Sequence, residues 1–192
     1  MLTVRFERAL VFAARLHRDQ RRKGSHVPYI SHLLAVCELT LEYGGDEDEA
    51  IAALLHDAIE DQGGAAARAE ILREYGARVT EIVDGCTDTD QSPKPAWRPR
   101  KEEYIRHIAE ASRSVRLVSA CDKLHNARSL VMDYRTYGED LWGRFTGGRE
   151  GTLWYYRAMV KALRAAGPAE LSIPVVDELD RVVTELEVLA CA

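Results

Sequence analysis

The run Ala53-Leu54-Leu55-His56-Asp57-Ala58-Ile59-Glu60-Asp61 sets four ionisable side chains into an otherwise apolar stretch. Burying that many charges is costly unless something compensates them, and a divalent cation is the natural compensator. On a continuous helix the neighbouring His56 and Asp57 diverge by ~100°, yet both reach an ion held beside the helix surface. Glu60 and Asp61 lie one turn further along the same side, where they face water beside the ion without ligating it. Two residues cannot complete a metal site. The best candidates for the remaining ligands are His32, at the start of the preceding helix, and Asp122, within Ser119-Ala120-Cys121-Asp122-Lys123-Leu124-His125-Asn126. Each is a polar group set beside apolar ones. Two imidazoles with two carboxylates suit manganese, iron or zinc better than calcium.

Helices must position these groups, because strand signals are nearly absent. Phe6, Leu10, Ala13 and Ala14 recur at helical spacing up to Leu16. A loop with Gly24 and Pro28 follows, and Ser31 reads as the N-cap of a helix through Leu41 that closes at Gly44-Gly45. Asp46 to Glu49 favour the positive end of the next helix dipole. That helix buries Ile51, Leu54, Leu55, Ala58 and Ile59 and stops near Gly63-Gly64. Further helices are predicted at Ala65 to Tyr75 and Ala77 to Cys86, and then, beyond a loop from Asp88 to Pro99, at Arg100 to Ala111 and Ser114 to Tyr134. The pattern from Asp140 to Gly151 is undefined. Two last helices, Thr152 to Ala166 and Ala169 to Leu189, are separated by Gly167-Pro168. The expectation is one all-α domain over residues 1–192 with about eight or nine helices: a motif-bearing core at about 6–166 and a C-terminal helix at about 169–189.

Composition bounds the function. The chain has 192 residues, 26 Lys+Arg against 31 Asp+Glu, a formal charge of −5 and 46% apolar residues, which are globular proportions. No apolar run is long enough to span a bilayer, and charges in Met1 to Arg8 stand where a signal peptide needs its apolar stretch, so a cytoplasmic location is expected, with no membrane partner. An acidic balance argues against a nucleic-acid surface. It leaves room for a small anionic ligand held by a local positive cluster. Cys37, Cys86, Cys121 and Cys191 are scattered with no CxxC pair and read as free, buried thiols.

The spaced set His32, His56-Asp57 and Asp122 resembles the HD-domain metal-dependent phosphohydrolases, whose fold is a helical bundle. Arg22-Lys23-Gly24, Pro28-Tyr29-Ile30-Ser31-His32, His56-Asp57-Ala58-Ile59-Glu60-Asp61 and Asp122-Lys123-Leu124-His125-Asn126-Ala127-Arg128-Ser129 occur in the order found in the hydrolase domain of the RelA/SpoT alarmone enzymes. The size is similar to that of the stand-alone small alarmone hydrolases of the metazoan SpoT-homologue type. The resemblance implies Mn²⁺-dependent removal of pyrophosphate from the 3′ position of guanosine tetra- or pentaphosphate, another divalent transition metal being an alternative. It makes His32, His56, Asp57 and Asp122 the ligands, and Glu60 and Asp61 the residues that orient and deprotonate water. Arg22 would stack on a base and Lys23 meet a phosphate. Asn126 and Ser129 would bond ribose or base, and Tyr156 or Tyr155 close the base pocket.

Ser25-His26 and the cluster Arg98, Arg100 and Lys101 depart from the pattern. The cluster reads either as a contact for the far phosphates or as a coat on a helix start, and Trp142, Arg144 and Phe145 as a lid or a dimer surface. Guanine and adenine both stay open as the base, and a homo-oligomer is compatible with the chain. The alternatives are an HD phosphohydrolase acting on another nucleotide (an adenosine alarmone, a 5′-nucleotide or a nicotinamide dinucleotide phosphate) and a nucleotide sensor without turnover. The paired carboxylates Glu60 and Asp61 favour hydrolysis, since a pure binder does not need them.

Overall fold

A computed structural model describes residues 1–91, 93–165 and 174–191. Ten α-helices and one 3₁₀ segment occur among them, and no strand. In chain order the helices are α1 (Val4–Leu16), α2 (Ile30–Glu42), α3 (Glu47–Leu55), α4 (Ala58–Gln62), α5 (Gly64–Tyr75), α6 (Ala77–Cys86), α7 (Trp97–Glu110), α8 (Arg113–Tyr137), α9 (Gly148–Ala165) and α10 (Val175–Cys191), with the 3₁₀ segment at Gly138–Arg144. The break at Gly167-Pro168 and the helix start expected at Ala169 lie outside the described residues.

Local chemistry sets the helix starts. The Thr3 side chain accepts from the Arg5 amide, Asp46 and Glu49 form a reciprocal capping box on α3, and Ser112 accepts from the Val115 amide to open α8. α8 is the axis of the bundle. Leu117, Val118, Ala120, Cys121, Leu124 and Ala127 are fully buried in one contiguous core, and α2, α3, α6, α9 and α10 pack around this helix. Ion pairs tie α10 to it from outside: Arg128 to Glu178 at 3.0 Å and Arg135 to Glu185 at 2.6 Å.

The expected helix through Ile59 is in fact two. His56 Nδ1 bonds the carbonyl oxygen of Ala53 at 2.8 Å. That engages the oxygen which a continuous helix would offer to the Asp57 amide, and Asp57 leaves helical geometry with φ −99° and ψ 1°. Ser31 is not an N-cap either. α2 starts at Ile30 with no side-chain cap, because a tight turn closed by Ser31 N–H to Pro28 oxygen and His32 N–H to Tyr29 oxygen already leads into it. α7 begins at Trp97, three residues early, since Pro99 falls in the first turn, where amides have no helical partner to lose. α9 likewise begins at Gly148 rather than Thr152.

The loop between α1 and α2 is ordered by its own backbone bonds. Residues 21–28 fold back on themselves through an isolated bridge between Arg21 and Pro28, with the Arg22 amide on the Val27 oxygen at 2.9 Å and the Tyr29 amide on the Gln20 oxygen at 3.0 Å. Gly24 sits in the left-handed region at φ 71°, and a Cβ there would come within 2.7 Å of the Arg144 side chain. Arg144 in turn lies over the Tyr137 ring, so the loop that carries Arg22 and Lys23 is braced by the 3₁₀ segment.

Candidate functional site

The break between α3 and α4 turns His56 and Asp57 toward one point instead of splaying them around a helix. α2 brings His32 to the same point and α8 brings Asp122. His32 Nε2 lies 3.2 Å from Asp122 Oδ1 and 3.7 Å from Asp57 Oδ2, and His56 Nε2 lies 3.1 Å from Asp57 Oδ2 and 3.7 Å from Asp122 Oδ1. His32, His56 and Asp57 each offer a ligand atom within 4.8 Å of the other two. Both Nε2 atoms are buried without a hydrogen-bond partner, although their rings are only 1% and 2% exposed. Buried imidazole nitrogens are rarely left unsatisfied. Two of them aimed at two carboxylates fit a divalent cation.

The electrostatics say the same. Burial pushes His32 toward its neutral form. His56 meets the same burial, but the charges of Asp57 and Asp122 outweigh it and raise its pKa well above the ordinary value. Both carboxyls lie below the usual carboxylate range despite their burial, Asp57 through His56, and Asp122 through Lys123 and the two histidines. The two carboxylates therefore favour positive charge at this point, the charge that a cation between them would supply.

Around the four candidate ligands stands a ring of supporting bonds. Tyr29 donates its hydroxyl to Asp57 Oδ2 at 2.5 Å, Asn126 Nδ2 donates to Asp122 Oδ1 at 2.5 Å, and Lys123 pairs with Asp122 Oδ2. His32 and His125 meet Nδ1 to Nδ1 at 2.7 Å. Burial, together with His32 and Arg22 nearby, lowers the His125 pKa to about 4. Tyr29, Lys123 and His125 all fall within the motifs that carry the resemblance, but sequence reasoning gave them no role. Their positions, three residues before His32 and one and three after Asp122, are the signal that could have found them.

A cleft of about 780 Å³ opens beside this cluster. Arg22, Lys23, Asn126, Ser129, Asp61 and Tyr156 all line it. Arg22 bonds Asn126 Oδ1 at 2.6 Å, so both ends of that amide are engaged, one on Arg22 and one on Asp122. Ser129 Oγ donates to the His125 carbonyl at 3.0 Å. A second lobe of about 270 Å³ shares Lys23, Phe145 and Tyr156 with the first and adds Glu60, Arg100, Lys101 and Tyr155. Of the two tyrosines, then, Tyr156 faces both lobes and Tyr155 only the smaller one.

Glu60 and Asp61 are separated by the same geometry. Glu60 pairs with Lys94 at 2.7 Å and faces the smaller lobe. Asp61 faces the main cleft, where Gln20 Nε2 donates to it at 2.8 Å, and its pKa is raised by burial and by the nearby Asp57 charge. The basic cluster divides: Arg100 and Lys101 both pair with Asp88 at the wall of the smaller lobe, whereas Arg98 lies over the Trp154 ring at 3.4 Å. Trp142 is buried against Tyr134, and Phe145 is a wall of both lobes. Cys37, Cys86 and Cys121 are buried, and Cys191, expected to be buried with them, is exposed near the end of α10.

The family described as HD domain matches residues 9–153, and the chain belongs to it. Within that family it is similar to guanosine-3′,5′-bis(diphosphate) 3′-pyrophosphohydrolase MESH1: 39% identical over 122 residues to the Xenopus tropicalis protein and 37% to the Homo sapiens protein. The match covers 62% of this chain and about 65% of each relative's length. A solved structure described as a metazoan ortholog of SpoT that hydrolyzes ppGpp superposes with a TM-score of 0.75 at 29% identity, covering 94% of this chain and 96% of that one.

Proposed function

We propose that the protein is a metal-dependent nucleotide 3′-pyrophosphohydrolase acting on guanosine 3′,5′-bis-pyrophosphate, as its MESH1 relatives are named for doing. The observation that carries the reading is the pair of orphaned imidazole nitrogens facing two carboxylates at the edge of a cleft walled by Arg22 and Lys23. His32, His56, Asp57 and Asp122 would hold the cation, with Mn²⁺ as the proposed ion. When bound, the cation draws electron density from the phosphate oxygens and makes neighbouring water more acidic.

The chain's own residues supply the remainder. Arg22, held by Asn126 and lying 5.7 Å from the Tyr29 ring centre, offers a planar guanidinium for a base to stack on. Lys23, shared by the two lobes, offers a point charge to a phosphate. Arg100 and Lys101, only partly neutralised by the single carboxyl of Asp88, suit phosphates reaching into the smaller lobe. Glu60 at the smaller lobe and Asp61 at the main cleft would orient the attacking water and accept its proton. Asp61 is the better poised to accept, since its raised pKa brings it closer to neutrality.

The test is incubation of Mn²⁺-loaded protein with guanosine and adenosine tetraphosphates and analysis of the products. Release of intact pyrophosphate from the guanosine compound is expected. Release of single phosphates, or turnover of other nucleotides only, would refute the assignment.

A further inference from the structure

His125 has no part in the proposed hydrolysis, yet it touches both the metal cluster and the cleft. It stands three residues after Asp122 on α8, its ring centre 4.8 Å from that of His32. The two Nδ1 atoms are 2.7 Å apart, a distance at which one nitrogen must carry a proton and the other must not. The pair alone does not say which. The answer comes from the far edge of His32, whose Nε2 is buried, lacks a hydrogen-bond partner and points between Asp57 and Asp122. A cation there needs the Nε2 lone pair, so the proton of the neutral His32 ring sits on Nδ1. His125 Nδ1 is then the acceptor, and the His125 proton has only Nε2 left to occupy. With Nδ1 turned to His32, Nε2 is on the opposite edge of a ring that lines the main cleft beside Arg22, Asn126 and Ser129.

We propose that His125 is a substrate-binding residue whose donor is set by the metal centre: the His32 contact fixes it as the Nε2–H tautomer, and that N–H donates to a phosphate or ribose oxygen on the 3′ side of the bound nucleotide. The nature of the ligand rests on the proposed function; the tautomer does not. The arrangement couples the two halves of the site. Without a cation, His32 is free to place its proton on Nε2, and the His125 donor is no longer enforced.

The test uses full-length protein with ¹⁵N-labelled histidine, loaded with zinc as a diamagnetic probe, in ¹H–¹⁵N correlation spectra. His125 is expected to carry its proton on Nε2 with Nδ1 bare, and the Nε2–H signal is expected to move when guanosine 3′,5′-bisphosphate is added. Two variants separate binding from support of His32. His125→Asn keeps a short amide that can accept from His32 but does not reach the cleft. His125→Gln extends a donor into the cleft and gives up the His32 contact. At full zinc content, His125→Asn should weaken guanosine bisphosphate binding about tenfold or more, the span for one hydrogen bond to a charged acceptor, while His125→Gln stays within about threefold. A proton on Nδ1 of His125 in the zinc-loaded protein, or undiminished affinity in His125→Asn, overturns the proposal. Failure of the native protein to bind the nucleotide overturns its ligand half together with the proposed function. Binding and tautomer as stated, with no pyrophosphate released from guanosine tetraphosphate, would leave this inference standing and remove only the proposed reaction.

Discussion

Adding a divalent cation to metal-stripped protein should raise its thermal stability by an amount that can be worked out. The cluster presents two buried, unpartnered Nε2 atoms and two carboxylates within 3.7 Å of them, an arrangement found only in the folded chain. A cation at a hundred times its dissociation constant then stabilises the native state by about 2.7 kcal/mol. Unfolding entropy of about 2.1 cal/mol/K per residue, applied to 192 residues, gives about 0.4 kcal/mol/K. The midpoint should therefore rise by about 7 °C in a scanning-fluorescence or calorimetric melt with Mn²⁺, and fall back on addition of chelator. The rise should shrink as pH falls. Asp57 and Asp122 raise the His56 pKa above its ordinary value in the metal-free site, so protons compete with the cation for this ligand more strongly at about pH 6 than at about pH 8. Asp122→Ala should abolish both the shift and the bound metal. A shift of the same size in Asp122→Ala, or none in the native protein at millimolar cation, would show that these four residues do not hold the ion.

Single contacts set three further outcomes. Glu60→Ala should abolish turnover of guanosine tetraphosphate while metal content, read by elemental analysis, stays nearly full; equal loss of metal would make Glu60 a ligand. Glu178 is held between Arg181 and Arg128, which lowers its pKa to about 2 from 4.5. Its stabilising contribution is thus present above pH 4.5 and fades as pH falls toward 2. At this partly exposed position Glu178→Gln should cost about 0.5–1 kcal/mol at neutral pH, and the gap in urea denaturation should narrow by about pH 3.5. Gly147→Ala would place a Cβ 2.7 Å from the Trp97 ring; overpacking of that kind costs about 1–3 kcal/mol, and urea denaturation with tryptophan emission should report both the loss and a displaced indole.

The helical class and the order of the elements were legible because periodicity and caps are local properties. Asp46 with Glu49 fixes the start of α3 with a few residues, whereas α8, expected to end at Tyr134, runs on to Tyr137 before Gly138. The break at His56–Asp57 was not legible, since Ala53 to Asp61 is as apolar and helix-favouring as a continuous helix would be. What divides it is a side chain bonding its own backbone, and the convergence of ligands depends on that break. The four candidate ligands could be read from residue type and order, whereas Tyr29, Lys123 and His125 show in the sequence only their nearness to His32 or Asp122, not the bond each makes. Tyr29 and His125 act across 28 and 93 residues of chain, and nothing in the local pattern of a Tyr or a His announces a partner that distant. The early start of α7 was missed for a different reason: three prolines from Pro93 to Pro99 suggested a loop, but Pro99 falls within the first turn, where its missing N–H is not needed.

Net charge is a poor guide to this cleft. The chain is acidic by five charges, yet most of the acidic groups near the site are already committed: Asp88 to Arg100 and Lys101, Glu60 to Lys94, Asp122 to Lys123 and the histidines. Arg22 gives one hydrogen bond to a neutral amide, and Lys23 lies 5.4 Å from the Phe145 ring centre, so the Arg22 charge faces the main cleft and the Lys23 charge both lobes. A cation held by His32, His56, Asp57 and Asp122 would then add two charges beside the main cleft, which makes the local field far more positive than composition implies. An acidic chain can in this way present a positive cleft to a small ligand carrying several phosphates, because at short range the nearest groups outweigh the sum over the surface.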